Sequence, residues 1–192
     1  MILNAKNNQF KIILPRKFFS EEVEKKYGFY LKRLPTPFES ITDFTNHTIQ
    51  SVNFPGVSSD LVEQWVGRRV EVDGKQVTKN PQYWRQAADL DRVIPKEFTI
   101  NFKAADAYLN YWALFEQFRI YLSIPNEEDY IPDFQLIYLD REGYQILTIL
   151  LKQPIIKGIS EVEMNYSSAA MEFKTFSMNF GYNTFEIDVK LD

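Results

Sequence analysis

TFSMNFGYNTFEIDVKL, residues 175–191, is the stretch that decides the fold. Phe176, Met178, Phe180 and Tyr182 share one parity, and Phe185, Ile187, Val189 and Leu191 share the other. Alternation with a period of two marks strands that bury one face. The parity flips at Asn183, which calls for a bulge or tight turn at Gly181-Tyr182-Asn183.

Working backwards, Ile155 to Ile159 reads as another strand. Phe134 to Leu139 and Tyr144 to Lys152 flank Asp140-Arg141-Glu142-Gly143, a hairpin with a four-residue turn. Glu97 to Lys103 alternates, with Phe98, Ile100 and Phe102 on one face. Asp106 then caps a helix from about Ala107 to Ser123. Its stripe of Tyr108, Trp112, Phe115, Phe118 or Arg119, and Leu122 recurs at helical spacing and predicts a core-facing surface. Nearer the start, residues 9–14 read as a strand and residues 20–27 as a short helix capped by Ser20. Gly28 to Leu34 reads as extended, before Pro35 and Pro37 break the chain. Ser40 opens a second short helix, and Gln50, Val52 and Phe54 alternate up to Pro55-Gly56.

Residues 57–96 are the least regular part. Arg69 to Val72 and Lys75 to Thr78, around Asp73-Gly74, predict a hairpin with a type I′ turn. Residues 79–96 read as a long loop with one helical turn near Tyr83 to Ala88. The total is about seven strands, one long helix and one or two short ones. The expected fold is mainly β: an antiparallel β-sandwich or small barrel with one long α-helix packed on it. The expected organisation is an N-terminal extension over 1–45 and a β domain over 46–192, with a long loop insertion at about 57–96.

Composition narrows the chemistry. The 192 residues include no cysteine, which excludes a disulfide scaffold, a thiolate zinc site and a cysteine nucleophile. One histidine excludes a multi-histidine metal centre, and neither GxGxxG nor GxxxxGK[ST] occurs among the seven glycines. No cofactor or metal is expected, and no enzymatic activity. No apolar run approaches the roughly 20 residues a membrane helix needs, and no signal peptide is evident. The net charge of −4 is split unevenly: residues 97–192 carry 7 basic and 15 acidic side chains, a balance of −8, so residues 1–96 carry +4. Opposed halves suit self-association, with a positive surface on one copy meeting a negative one on the next.

Few residues suggest catalysis. His47 and Asp43 share a helix face, but no GxSxG elbow supplies a nucleophile. A surface histidine beside an i,i+4 carboxylate is the simpler account. Glu127, Glu128, Asp129 and Asp133 cluster without the ordered spacing of a calcium loop, as solvated linkers commonly do. Trp65, Tyr83 and Trp84 lie where core packing does not demand them. They are candidate anchors on a neighbouring subunit, or a stacking platform in a carbohydrate-binding β-sandwich.

Three segments carry a resemblance. The first is Gln50-Ser51-Val52-Asn53-Phe54-Pro55-Gly56. The second is Phe98-Thr99-Ile100-Asn101-Phe102 followed by Asp106, Leu109-Asn110-Tyr111-Trp112 and Phe115. The third is Asp133 to Leu151, then Ile155 to Glu161, then Phe176 to Tyr182. In order and spacing they resemble the tail tube proteins of contractile-tailed bacteriophages, whose fold type VI secretion tubes share. The resemblance runs from Asn46 onward and leaves the first 45 residues without a counterpart.

It implies a virion structural protein of the tail, made in the host cytoplasm. Six copies form a ring, their sheets join into one barrel, and rings stack into a channel that DNA crosses without sequence-specific binding. A tube initiator, a terminator, a ring protein at a tail end and a secretion tube are the neighbouring roles. Sheath, baseplate or neck proteins are the implied partners. An acidic lining would repel phosphates, and the −8 half suits one. Strands 97–103, 133–139, 144–152 and 171–181 are the barrel candidates, with Gln135, Glu172 and Lys174 as lumen candidates. Residues 1–35 and the 57–96 loop are candidates for inter-ring contacts, with Trp65, Arg68, Arg69, Tyr83 and Trp84 as the named contact residues.

Overall fold

A computed structural model describes residues 9–34, 38–53, 61–65, 68–79, 82–86, 96–123, 131–162 and 173–190. In the described segments between 61 and 86 it defines the backbone, with side chains only at Asp73 and Lys75. The chain divides into two compact units, Pro55–Pro95 and the remainder.

The larger unit is a two-layer sandwich of antiparallel sheets with three helices. Its strands are β1 (Phe10–Ile13), β2 (Ile49–Asn53), β7 (Glu97–Lys103), β8 (Phe134–Leu139), β9 (Gln145–Lys152), β10 (Ile155–Ile159), β11 (Thr175–Gly181) and β12 (Thr184–Val189). The helices are α1 (Glu21–Leu31), α2 (Ile41–His47) and α3 (Leu109–Ser123). The first sheet has the order β1-β8-β9-β12 and the second β10-β11-β7-β2. Neither closes on itself, so of the two expected forms the sandwich is the one adopted. The four barrel candidates are divided, with β7 and β11 in the second sheet and β8 and β9 in the first.

One ribbon joins the two sheets. Lys152 pairs with Thr184 in the first sheet and Ile155 with Gly181 in the second, on a single register. The ribbon turns at Gln153, which adopts φ 50°. Asn183 donates its backbone N–H to Lys152 O (3.2 Å) and its Nδ2 to Gln153 Oε1 (2.9 Å). The parity flip at Asn183 is therefore the corner between layers. Tyr182 is buried on one side of it, and Phe185 packs against the core on the other.

Alternation puts Phe98, Ile100 and Phe102 of β7 and Phe176, Met178 and Phe180 of β11 inside, where they face Phe134, Leu136, Ile149 and Leu151. Phe98 and Phe180 stack with ring centroids 5.0 Å apart, and Phe134 meets Phe180 edge-on at 5.0 Å. The N-terminal segment belongs to this core. β1 pairs with β8, and Leu14, Phe18, Phe19, Val23 and Leu31 are all buried.

Ser20 caps α1, with its Oγ 3.5 Å from Val23 N. The helix continues to Leu31, so the extended reading of Gly28 to Leu34 does not hold. Val23, Tyr27 and Leu31 make an i, i+4, i+8 stripe whose burial outweighs the one glycine. Ser40 caps α2 through Asp43 N (3.0 Å), and Glu24 of α1 accepts from Ile41 N (3.1 Å) at the same helix start. The β8–β9 turn is held by Asp140 Oδ1, which accepts from Glu142 N (2.8 Å) and Tyr144 N (2.7 Å).

The smaller unit contains β3 (Leu61–Trp65), β4 (Arg68–Val72), β5 (Lys75–Lys79) and β6 (Gln82–Gln86). β4 and β5 form the expected hairpin. Asp73 and Gly74 have φ of 53° and 72°, the doubly left-handed pair of a type I′ turn. β3 pairs with β6, so the helical turn expected near Tyr83 is a strand instead. A partner some twenty residues away stabilises it, which local periodicity does not reveal.

Candidate functional site

Across β2, β7 and β11 the outer face of the second sheet is built from short, uncharged polar side chains, and the edge strand β10 adds the exposed Ile155. With Phe98, Ile100 and Phe102 inside, Thr99 and Asn101 of β7 point out. Pairing sets Asn53 of β2 opposite Thr99 and Ser51 opposite Asn101. It sets Asn179 and Ser177 of β11 opposite the same two residues, and Thr175 opposite Lys103. Thr99 Oγ1 donates to Asn179 Oδ1 (2.8 Å), and Asn101 Nδ2 to Ser51 Oγ (2.8 Å). Charge appears only at the ends. Lys157 is ion-paired with Glu97 at one end, and Lys103 lies 3.3 Å from the Phe173 ring centroid at the other. This face is not acidic. Among the described residues, other acids of 97–192 lie elsewhere, with Asp140 and Glu142 in the β8–β9 turn and Glu186 and Asp188 on the outer face of β12. A flat array of hydroxyls and amides stays hydrated and gives a polyion no fixed charge to hold.

Both edge strands of this sheet, β10 and β2, have one strand neighbour among the described residues. In the first sheet, α2 lies beside β1 and is tied to the residue that follows the strand, with Asn46 Oδ1 accepting from Leu14 N (2.9 Å). Between them is a cleft of about 390 Å³ lined by Lys11, Ile12, Ile13, Asp43, Asn46 and His47. His47 Nδ1 lies 2.9 Å from Asp43 O and 3.6 Å from Asp43 Oδ1. The lining holds no hydroxyl or thiol, so a surface histidine with its i,i+4 carboxylate accounts for the pair. Asp133 accepts from Gln153 N (3.0 Å) and pairs with Lys152 (3.5 Å), while Glu127, Glu128 and Asp129 lie outside the described residues. Among the described residues no group of three or more His, Cys, Asp or Glu is placed to hold a metal ion. No helix among the described residues is long and apolar enough to cross a membrane.

α3 overturns the expectation of a core-facing aromatic stripe. Its buried residues are Asn110, Ala113, Leu114 and Gln117, whereas Trp112, Phe115 and Leu122 remain 44 %, 40 % and 71 % exposed. Two buried amides set the helix rotation. Asn110 Nδ2 donates to Thr48 Oγ1 (2.9 Å) and Lys103 O (2.8 Å), and its Oδ1 accepts from Ala105 N (3.2 Å). Gln117 Oε1 accepts from Ser20 N (2.8 Å). Turning the aromatic stripe inward would strand these groups. Glu116 pairs with Lys26 and accepts from the Tyr27 hydroxyl. Burial first, and then that carboxylate, push the Tyr27 phenol up to about 12. The signal was present in sequence as Asn110, Ala113, Leu114 and Gln117 at i, i+3, i+4 and i+7, masked by polar residue types.

The sequence-derived contact residues occupy the smaller unit. Trp65 of β3 pairs with Gln82, while Tyr83 and Trp84 of β6 stand opposite Gln64 and Glu63. Arg68 and Arg69 of β4 stand opposite Lys79 and Thr78. Their side chains lie outside the described residues. Of the lumen candidates, Gln135 is exposed on the first sheet opposite Leu150, Lys174 precedes β11 and accepts from Ala104 N (2.8 Å), and Glu172 lies outside the described residues.

No family model and no curated protein matches the chain. Solved structures do match in fold. A chain of the 6-fold symmetrised cryo-EM structure of the anti-feeding prophage (AFP) baseplate superposes with a TM-score of 0.52 at 11% identity, covering 98% of both chains. A chain of the sheath/tube terminator of the extracellular contractile injection system PVC, in the extended state, gives 0.52 at 9% identity, covering 98% of this chain and 99% of that one. A chain of the PVC sheath-tube complex gives 0.50 at 8% identity, covering 97% and 93%. The fold is thus the one that the resemblance to tail tube proteins implied.

Proposed function

We propose that this protein is a structural subunit of a contractile-injection or phage-tail particle, forming a hexameric ring of the inner tube or of one of its ends. The observation that carries this reading is the second sheet, which combines two open edge strands with an uncharged hydrophilic outer face. Open edges are a hazard unless another strand covers them. Joining β10 of one copy to β2 of the next would cover both, and six copies would close about 24 strands spaced about 4.8 Å apart around a channel. The Ser51, Asn53, Thr99, Asn101, Thr175, Ser177 and Asn179 face would then line it. Such a wall lets DNA or another polymer pass without retention and replaces the acidic lining first expected.

The Pro55–Pro95 unit supplies the contact between stacked rings, through Trp65, Arg68, Arg69, Tyr83 and Trp84. Sheath, baseplate or neck proteins are the further partners. The role is mechanical rather than catalytic, in a tail-like particle assembled from subunits made in the cytoplasm. Size-exclusion chromatography with light scattering, combined with negative-stain microscopy over a range of concentrations, tests the reading. Rings of six copies are expected, and a species that stays monomeric at about millimolar concentration refutes it.

A further inference from the structure

We infer that the open face of α3, formed by Trp112, Phe115, Arg119 and Leu122, is seated against the next copy of this chain in the ring. The inference rests on the ring reading above and adds to it the place where the outer layer closes.

The argument is one of circumference. Packed sheets lie about 10 Å apart, so an outer layer around a closed inner sheet runs on a radius about 10 Å larger. Its circumference is greater by about 60 Å, which is about 10 Å for each of six copies. That is roughly two strand spacings, or the width of one helix. Here both layers have four strands. If the second sheet closes edge to edge, the first cannot, and each copy must bring another element to fill the wedge.

α3 is placed to be that element. Tyr111 packs edge-on against Phe176 (centroids 5.2 Å apart), so the helix lies on the buried side of the second sheet, in the same layer as the first. It also packs against β10, one of the two open edges. Its outward face is apolar where a solvated helix would be polar. Trp112, Phe115 and Leu122 together leave about 300 Å² of apolar surface in water, a third or more of the roughly 800 Å² that one partner contributes to a standard interface. The sheet edges supply the remainder. Tyr111, Trp112 and Phe115 brace one another, with centroids 5.3, 5.8 and 6.3 Å apart, so little side-chain freedom remains to be lost on contact. Aromatic rings with an arginine among them are the usual centre of such contacts.

The absence of cysteine makes a direct test possible. Leu122→Cys gives the full-length chain a single thiol, whose maleimide labelling rate is measured on isolated rings and on monomers obtained by dilution. Labelling at least about tenfold slower in rings is expected, and equal rates overturn the inference. As a second measurement, Trp112→Lys with Phe115→Glu is expected to abolish rings while the monomer still unfolds cooperatively, since both side chains are partly exposed and neither belongs to the buried core. Intact rings of this double variant overturn the inference and leave the ring reading standing. A wild-type chain that never forms rings defeats the ring reading itself, and the inference with it.

Discussion

Replacing Asn110 by leucine tests what fixes the long helix. The side chain is fully buried, and leucine keeps its branching but is bulkier, so the change removes the hydrogen bonds and adds some crowding to their loss. Two backbone groups lose a partner, namely Ala105 N–H and Lys103 C=O. The Thr48 hydroxyl keeps its bond to Thr45 O (2.8 Å) and adds little to the loss. At about 1–3 kcal/mol for each stranded group, less about 1 kcal/mol gained by burying leucine, the expected destabilisation is about 3 kcal/mol. Against a typical total of about 5–15 kcal/mol, that is a large fraction. Urea titration followed by circular dichroism reads it as a lower midpoint with an unchanged slope.

Thr45→Val is the internal control. Thr45 is equally buried, but its hydroxyl oxygen has no hydrogen-bond partner. Valine replaces a stranded hydroxyl with a methyl group, so the expected effect is between zero and about 1 kcal/mol of stabilisation. If Asn110→Leu costs less than about 0.5 kcal/mol, or if the two variants destabilise alike, hydrogen-bond satisfaction does not set the rotation of α3, and the reasoning fails.

Three further outcomes follow from the geometry. Ala107 lies at φ 57° between Asp106 and Tyr108, which are also left-handed, so Ala107→Gly should stabilise by about 1 kcal/mol in the same urea assay. Gly143 has φ 92°, and Gly143→Ala should cost about 1–2 kcal/mol by loosening the β8–β9 turn, read as a lower melting temperature. The fold favours the protonated Tyr27 phenol, so its contribution is intact below pH 10 and is lost as pH rises from the free value of 10 towards about 12. The loss amounts to on the order of 2 kcal/mol. Tyr27→Phe should flatten that alkaline fall in stability, measured by urea midpoints at about pH 9 and about pH 11.5.

The second sheet was legible in sequence because each of its signals is local. Phe98, Ile100 and Phe102 alternate without interruption, and the flip at Asn183 locates the corner within a residue. The division of the barrel candidates between two sheets was not legible, because alternation names a buried face but not the layer it belongs to. β6 escaped because its stability comes from pairing with β3 rather than from its own residues. The helix failed for a sharper reason. A stripe of large aromatics normally outweighs a face carrying Asn110 and Gln117, yet here the two amides satisfy backbone groups of the segments packed beneath them. The uncharged sheet face was present as Ser51, Thr99, Asn101, Ser177 and Asn179, but it becomes one surface only once β2, β7 and β11 are in register.

The sheet edges show how such a chain restricts open strands to one kind of partner. In β10 the register against β11 shifts between Ile156 and Gly158, so Lys157 is bulged out at the edge. In β2 the register against β7 shifts between Ile49 and Ser51, so Gln50 is bulged out. Both open edges of the uncharged sheet therefore carry a bulge. In the other sheet β12 pairs without a shift, and Glu186 and Asp188 place charge on that edge strand instead, while α2 lies beside β1 and is tied to Leu14 just after it. A bulge breaks the even spacing of free N–H and C=O groups, so a regular strand from an arbitrary chain pairs poorly with it. An edge with a matching irregularity meets no such penalty. The two bulged edges belong to the same sheet, and their outer face is the one that carries almost no charge. If copies join there, the interruption that protects the free subunit also fixes the register of the ring, and one sheet carries both the junction and the smooth wall.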